Sequence, residues 1–250
     1  MSQFDARRAF MKSNFPDLQR MASDQKLGRP QPPLEKPAPD GAETVRLPPV
    51  DPAVLVEREF YACLKQRRSR RSWEDGGLTM AETSFLLWAT QGVQRVFGRN
   101  YSTFRPVPSG GARHPFETYL AVNRVEGLKE GVYRYLPLTH AVCLVREAAG
   151  MAQPLTDASL GQTFVGDAPV VFIWSCLPYR GEWRYLEAAH KIMLLDAGHL
   201  CQNLYLACEA IGCGTCAIAA YDQELIDAFA GVDGDDEFVV YLAPVGRVKG

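Results

Sequence analysis

The sequence predicts an α+β fold, and three observations carry that expectation. Helix and strand signals follow one another in irregular order, not as a regular β-α repeat. Residues 168–176 form an apolar run of strand length, and residues 182–211 read as helix with apolar side chains on nearly every face. With 250 residues, 47% of them hydrophobic and 22% charged, the chain is long enough to bury one substantial core.

Residues 1–25 have weak helical character. Within them Arg7-Arg8-Ala9-Phe10-Met11-Lys12 is like a twin-arginine export signal, but the following Ser13 to Arg20 is not the apolar stretch such a signal needs. An amphipathic N-terminal helix is expected instead. Residues 28–52 hold eight prolines among few apolar residues. Proline removes a backbone donor and fixes φ, so this stretch forms neither helix nor inner strand and should run as an extended arm over the surface or over a partner subunit. The expected division is therefore an N-terminal helix and arm, 1–56, and a compact domain, 57–250.

In that domain residues 57–68 read as a helix entering an arginine-rich segment. Thr79-Met80-Ala81-Glu82 is a capping box, opening a helix that runs to about Gln91. Pro106 to Pro115 is a Gly/Pro loop. Strands are expected at 117–125, 131–136 and 140–147, where β-branched and aromatic residues alternate with polar ones. The run 168–176 suits a strand covered on both faces. Residues 182–211 predict one helix about 45 Å long at 1.5 Å per residue. A helix apolar all round is central, or shared with another subunit. Gly212 and Gly214 end it, and a strand at 215–220, a helix at 222–230 and a strand at 237–246 complete the chain.

A net charge of −2 exerts no overall pull on nucleic acid or an anionic membrane, and no run of 18 apolar residues occurs. The seven cysteines are odd in number, scattered and set among apolar residues, which fits a reducing cytoplasm better than a disulfide framework.

Four segments carry chemistry. Arg67-Arg68-Ser69-Arg70-Arg71 places four guanidinium groups and a hydroxyl within five residues at a helix end, a donor set suited to a phosphate monoester. The same run also reads as a solvated basic stretch or a nucleic-acid patch, although no second basic stretch accompanies it. In Pro108-Ser109-Gly110-Gly111-Ala112-Arg113-His114-Pro115 the adjacent glycines leave backbone amides open to a flat ligand, and Ser109 can donate to a ring carbonyl; a tight turn is the plainer reading. Gly212-Cys213-Gly214-Thr215-Cys216-Ala217-Ile218-Ala219-Ala220 matches a dinucleotide fingerprint only superficially, because a helix precedes it and a strand follows. Cys213 and Cys216 read as buried structural thiols, and no metal site is expected. The small residues after them let a planar ring approach the backbone. In the fourth segment, Trp183-Arg184-Tyr185 with Glu187, the phenol is a candidate acid, and a packed tyrosine with its hydroxyl paired is the plainer reading.

These segments, with Asp196-Ala197-Gly198-His199-Leu200-Cys201-Gln202-Asn203-Leu204 and Val245-Gly246-Arg247, resemble the FMN-dependent nitroreductase family, most closely its SagB-type dehydrogenase branch, over residues 57–250. The resemblance implies a sandwich whose mixed, mainly antiparallel sheet is flanked by helices around a long central helix. It implies an intertwined homodimer with FMN at the subunit interface. Its phosphate-binding pattern falls on Arg67, Ser69 and Arg71, with Arg68 contributing and Arg247 joining them. Its ring-contacting loop, reaching from the partner subunit, falls on Pro108, Ser109, Gly110, Gly111 and Ala112. The segment beside the ring falls on Ala217, Ile218, Ala219 and Ala220, with Gln162 as a polar contact.

Arg184 and Tyr185 are the catalytic candidates. Members that oxidise azolines have Lys-Tyr where this chain has Arg184-Tyr185, and arginine stays protonated, so azoline oxidation is not expected. Other members have Glu-Gly at Ala219-Ala220, so the amide is kept and the carboxylate is not. The implied activity is hydride transfer between NADH, NADPH or another donor and a small nitroaromatic or quinone-type acceptor. Two alternatives stand beside it: a tailoring dehydrogenase acting on a peptide or natural product, and a non-redox phosphate- or nucleic-acid-binding module.

Overall fold

The computed structural model describes residues 3–98 and 101–248, so residues 1–2, 99–100 and 249–250 of the two expected segments lie outside it. Near the N-terminus are two short helices, α1 (Asp5–Phe10) and α2 (Phe15–Leu18), and an extended arm that ends in β1 (Thr44–Arg46). The remaining elements are α3 (Phe60–Gln66), α4 (Met80–Gln91), a hairpin of β2 (Arg95–Phe97) and β3 (Ser102–Phe104), then β4 (Phe116–Val122), β5 (Gly131–Leu136) and β6 (Ala141–Glu147). After these come α5 (Ala152–Ala158), α6 (Thr163–Gly166), β7 (Val170–Cys176), α7 (Tyr179–Tyr185), α8 (Ala188–Ala210), β8 (Cys213–Thr215), α9 (Gln223–Ala230) and β9 (Phe238–Arg247).

Seven strands form one sheet in the order β1-β6-β5-β4-β7-β9-β8, with every pairing between these strands antiparallel. Isolated parallel bridges, Ser69 with Thr215 and Leu78 with Val125, supply the mixed character. Every residue of β7 is buried, as an apolar run covered on both faces requires. Its side chains alternate. Val170, Phe172, Trp174 and Cys176 join the core formed with Leu86, Leu87, Leu200, Leu204 and Cys208 of α4 and α8. Val171 and Ile173 join the opposite core, with Leu155 of α5 and Ile226 and Phe229 of α9. Helices thus cover both faces of the sheet.

The capping box is formed: Thr79 Oγ1 accepts from the Glu82 amide at 3.2 Å, and the Glu82 carboxylate accepts from the Thr79 amide at 2.8 Å. The single helix expected over 182–211 is broken into α7 and α8 at Leu186, which has φ +50° and ψ −137°. Neither proline nor glycine marks this corner. Long-range packing makes it. The Trp183 indole donates to the Arg29 carbonyl at 3.1 Å, and the Trp183 carbonyl accepts from the Gln25 amide at 2.9 Å, so the N-terminal segment draws α7 aside. Gly181 lets α7 lie close to Ala189 and Met193 of α8.

The arm is bound by charge buried in the sheet. Arg134 of β5, 1% exposed, donates to the carbonyls of Lys36 and Pro37 at 2.7 and 2.6 Å. Glu117 of β4 accepts from the Lys36 amide at 2.8 Å and pairs with Arg180 and Arg134. Lys36 Nζ pairs with Glu237.

Candidate active site

The Arg67–Arg71 segment leaves α3 in extended conformation and lies beside β8, where the Arg70 amide donates to the Thr215 carbonyl at 2.9 Å. Arg67 sits over the Tyr205 ring at 5.2 Å and Arg71 over Phe164 at 5.9 Å. Arg70 packs on Gly214, where a Cβ would collide with it, and its buried Nε has no partner. None of Arg67, Arg68, Arg70 and Arg71 pairs with a carboxylate among the described residues. Four uncompensated guanidinium groups and an exposed serine suit a phosphate dianion. Arg247 differs, because its guanidinium is bound to Glu82 at 2.6 Å, which raises its pKa.

Tyr205 of α8 joins this segment to the second. Its hydroxyl lies 2.9 Å from Ser69 Oγ and accepts from the Ala217 amide at 2.8 Å. Ile218 then bridges to Leu242 of β9, while Ala219 and Ala220 are exposed. Gln162 donates to the Ala220 carbonyl at 3.0 Å. The residues expected at the phosphate and those expected beside the ring therefore meet within one chain, around Tyr205 of α8.

The loop Pro108–Ala112 lies elsewhere. Asp196 of α8 accepts from the Gly110 amide at 3.2 and 3.1 Å and hydrogen-bonds Ser109, while Ser109 Oγ accepts from the His114 amide at 2.9 Å. Burial raises the Asp196 pKa against the lowering effect of these donors. Gly111 has φ +61°, and a Cβ there would collide with the Tyr185 hydroxyl. Tyr185 therefore packs directly on the glycine loop. Arg184 donates to the Tyr101 hydroxyl at 3.1 Å and stacks over Tyr185 at 5.3 Å.

Asp196 and Tyr205 are nine residues apart on one helix, about 13 Å along its axis and on opposite sides of it. One chain therefore brings 67–71 to 217–220 and 184–185 to 108–112, but does not bring the two pairs together. Of two cavities of about 790 Å³, one lies between the arm prolines and Phe238, and the other borders the arginine segment at Arg71, Trp73 and Phe164. Neither is lined by residues of both halves. The sequence marks Asp196 and Tyr205 only as a carboxylate and a phenol inside an apolar helix, which assigns neither a role. Nothing local pointed to Glu82 as the partner of Arg247.

An α+β sandwich with helices on both faces of its sheet, and with a basic, hydroxyl-bearing extended segment beside a run of small residues, defines the class. The nitroreductase family profile matches residues 64–247, and the chain belongs to the nitroreductase family, an oxidoreductase family. A nitroreductase-family protein of Methanocaldococcus jannaschii is 33% identical over 194 residues, 77% of this chain and 93% of the relative. The trifolitoxin-processing protein TfxB of Rhizobium leguminosarum bv. trifolii is 29% identical over 133 residues, 52% of this chain but 36% of TfxB. Among solved structures, a nitroreductase-family protein from Ralstonia eutropha has a TM-score of 0.68 at 25% identity, covering 88% of this chain and 99% of that one. The E. coli microcin synthetase McbBCD complex with truncated pro-MccB17 bound has a TM-score of 0.60 at 20% identity, with 95% and 91% covered. An FMN-dependent nitroreductase from Clostridium difficile has a TM-score of 0.51 at 14% identity, with 76% and 88% covered.

Proposed function

We propose that this chain is an FMN-dependent oxidoreductase that works as a homodimer, moving hydride equivalents from a nicotinamide nucleotide or another donor to a small nitroaromatic or quinone-type acceptor. The observation that carries this reading is the Tyr205 hydroxyl, which ties Ser69 of the uncompensated arginine segment to Ala217 of the small-residue segment. Arg67, Arg68, Ser69 and Arg71 would hold the phosphate, with Arg247 closing the cluster from β9. Ala217 to Ala220, with Gln162, would line the edge of the ring. Pro108 to Ala112 of the second copy would cover its face, which accounts for the separation of the two halves along α8. When bound, the flavin supplies two-electron redox chemistry. The chain's own share is to neutralise the phosphate, to present open amides to the ring, and to orient the acceptor against Tyr185. The C. difficile neighbour named for FMN dependence supports the cofactor assignment.

TfxB and the microcin synthetase favour a second reading, a tailoring dehydrogenase acting on a peptide or natural product. In that reading the permanently charged Arg184 cannot serve as a base, so the oxidation would need another proton acceptor. Purified protein tests both. A yellow dimer whose flavin absorbance bleaches with NADH or NADPH supports the first, and bleaching only with dithionite or a peptide substrate supports the second. A colourless monomer that takes up no FMN refutes both.

A further inference from the structure

Beside Tyr185 is a cavity of about 110 Å³. Arg184, Lys26 and Ser23 give it polar walls, and Phe15, Leu18 and Tyr185 give it apolar ones. No acidic side chain lines it. The cations around it are held only by neutral groups. Arg184 Nη1 donates to the Tyr101 hydroxyl, and Lys26 Nζ contacts the carbonyls of Gln19 and Met21 at 3.3 Å. Arg113, 5% exposed, donates to the carbonyls of Gly111 and Tyr101 and lies between the rings of Tyr101 and Trp183. None of the three forms an ion pair among the described residues. Burial first, and then the charge of Arg184, lower the Arg113 pKa, as expected of cations left near one another without an anion.

Two buried cations, Arg180 and Arg134, are paired with Glu117, whereas buried Arg105, held by Thr103, Gln91 and the Leu34 carbonyl, forms no ion pair among the described residues. What sets the group beside Tyr185 apart is that two of its cations, Arg184 and Lys26, face one cavity with no acidic side chain in its wall. A buried or half-buried cation without a partner is costly, and an incoming oxyanion removes that cost.

We propose that Arg184 and Lys26, backed by Arg113, form a subsite for an oxyanion group carried by the redox partner, so that a negatively charged organic acceptor such as an aromatic carboxylate is preferred over its neutral analogue. Arg184 in this account is a binding residue, with a guanidinium that suits a carboxylate or phosphate face to face. The N-terminal segment gains a role too, because Phe15 and Leu18 of α2, with Ser23 and Lys26, build one wall of the subsite. The inference rests on the flavin reading of the adjacent glycine loop.

The test compares 4-nitrobenzoate with nitrobenzene as acceptors for flavin-loaded wild type, Arg184→Gln, Arg184→Lys and Lys26→Gln. The ratio of their kcat/KM values should fall about tenfold in Arg184→Gln, the scale of one charge-assisted hydrogen bond, and recover in Arg184→Lys. Lys26→Gln, an exposed substitution with little folding risk, should lower it less. Calorimetric titration with benzoate should show the same order of affinities. If the loss falls instead on the KM for NADPH, the subsite holds a nucleotide phosphate, the same oxyanion chemistry from the other partner. A ratio, a nucleotide KM and a benzoate affinity that all stay unchanged overturn the proposal. Failure to retain FMN refutes the flavin reading by itself, while the benzoate titration still reads the subsite in flavin-free protein.

Discussion

Ser69 Oγ and the Tyr205 hydroxyl lie 2.9 Å apart, and because the same phenol accepts the Ala217 amide, one side chain of α8 sets the spacing between two segments far apart in the chain. Replacing Tyr205 with Phe keeps the ring under Arg67 but leaves that amide and the serine without their partner. Tyr205→Phe should cost about 1–3 kcal/mol of stability and weaken FMN binding. Urea unfolding and flavin fluorescence titration measure the two effects separately.

Arg67 has no carboxylate partner, so its charge is available to a phosphate. Arg67→Ala should lower FMN affinity roughly tenfold or more, with little change in unfolding midpoint. Flavin retained unchanged after dialysis of the variant at high salt would place the phosphate elsewhere.

Gly111 combines a left-handed backbone with contact to the Tyr185 hydroxyl. Gly111→Ala should destabilise the protein by at least about 1 kcal/mol and displace Tyr185. The displacement is measurable as altered acceptor KM in flavin-loaded protein. An alanine variant with wild-type stability and kinetics would mean that the loop adopts another shape in solution.

His114 is buried with φ +45°, and burial, with Arg105 adding to it, lowers its pKa to about 2. Its folded pKa is thus below the unfolded value of 6.5, so the unfolded chain takes the proton first as pH falls. Stability is complete above about pH 6.5 and is lost progressively below it. His114 alone should remove about 1.4 kcal/mol between pH 7.5 and 5.5. His114→Asn, which tolerates the same backbone, should flatten that part of the profile in urea unfolding at the two pH values.

Elements whose signals are local were legible in the sequence. The Thr79–Glu82 box fixed the start of α4, and the apolar run of β7 announced a strand with two covered faces. The break at Leu186 was not legible, because its cause is Trp183 reaching back to Gln25 and Arg29, and no residue nearby marks a corner. The same limit applied to the candidate site. The arginine segment and the small residues at 217–220 could be picked out by composition, but Tyr205 and Asp196, which hold them and the glycine loop, sit in a helix whose periodicity reports only burial. The unpaired state of Arg184 and Arg113 depends on which acids the fold keeps away from them.

The guanidinium of Arg134 under the arm bears on how the protein can be shortened. Deleting residues 1–56 would strip that cation of the Lys36 and Pro37 carbonyls, take the Lys36 amide from Glu117, and expose the edge of β6 that β1 now covers. A truncated version designed around the family profile alone would inherit an open sheet margin prone to self-association, and poor yield from it would say nothing about the chemistry of the remaining domain.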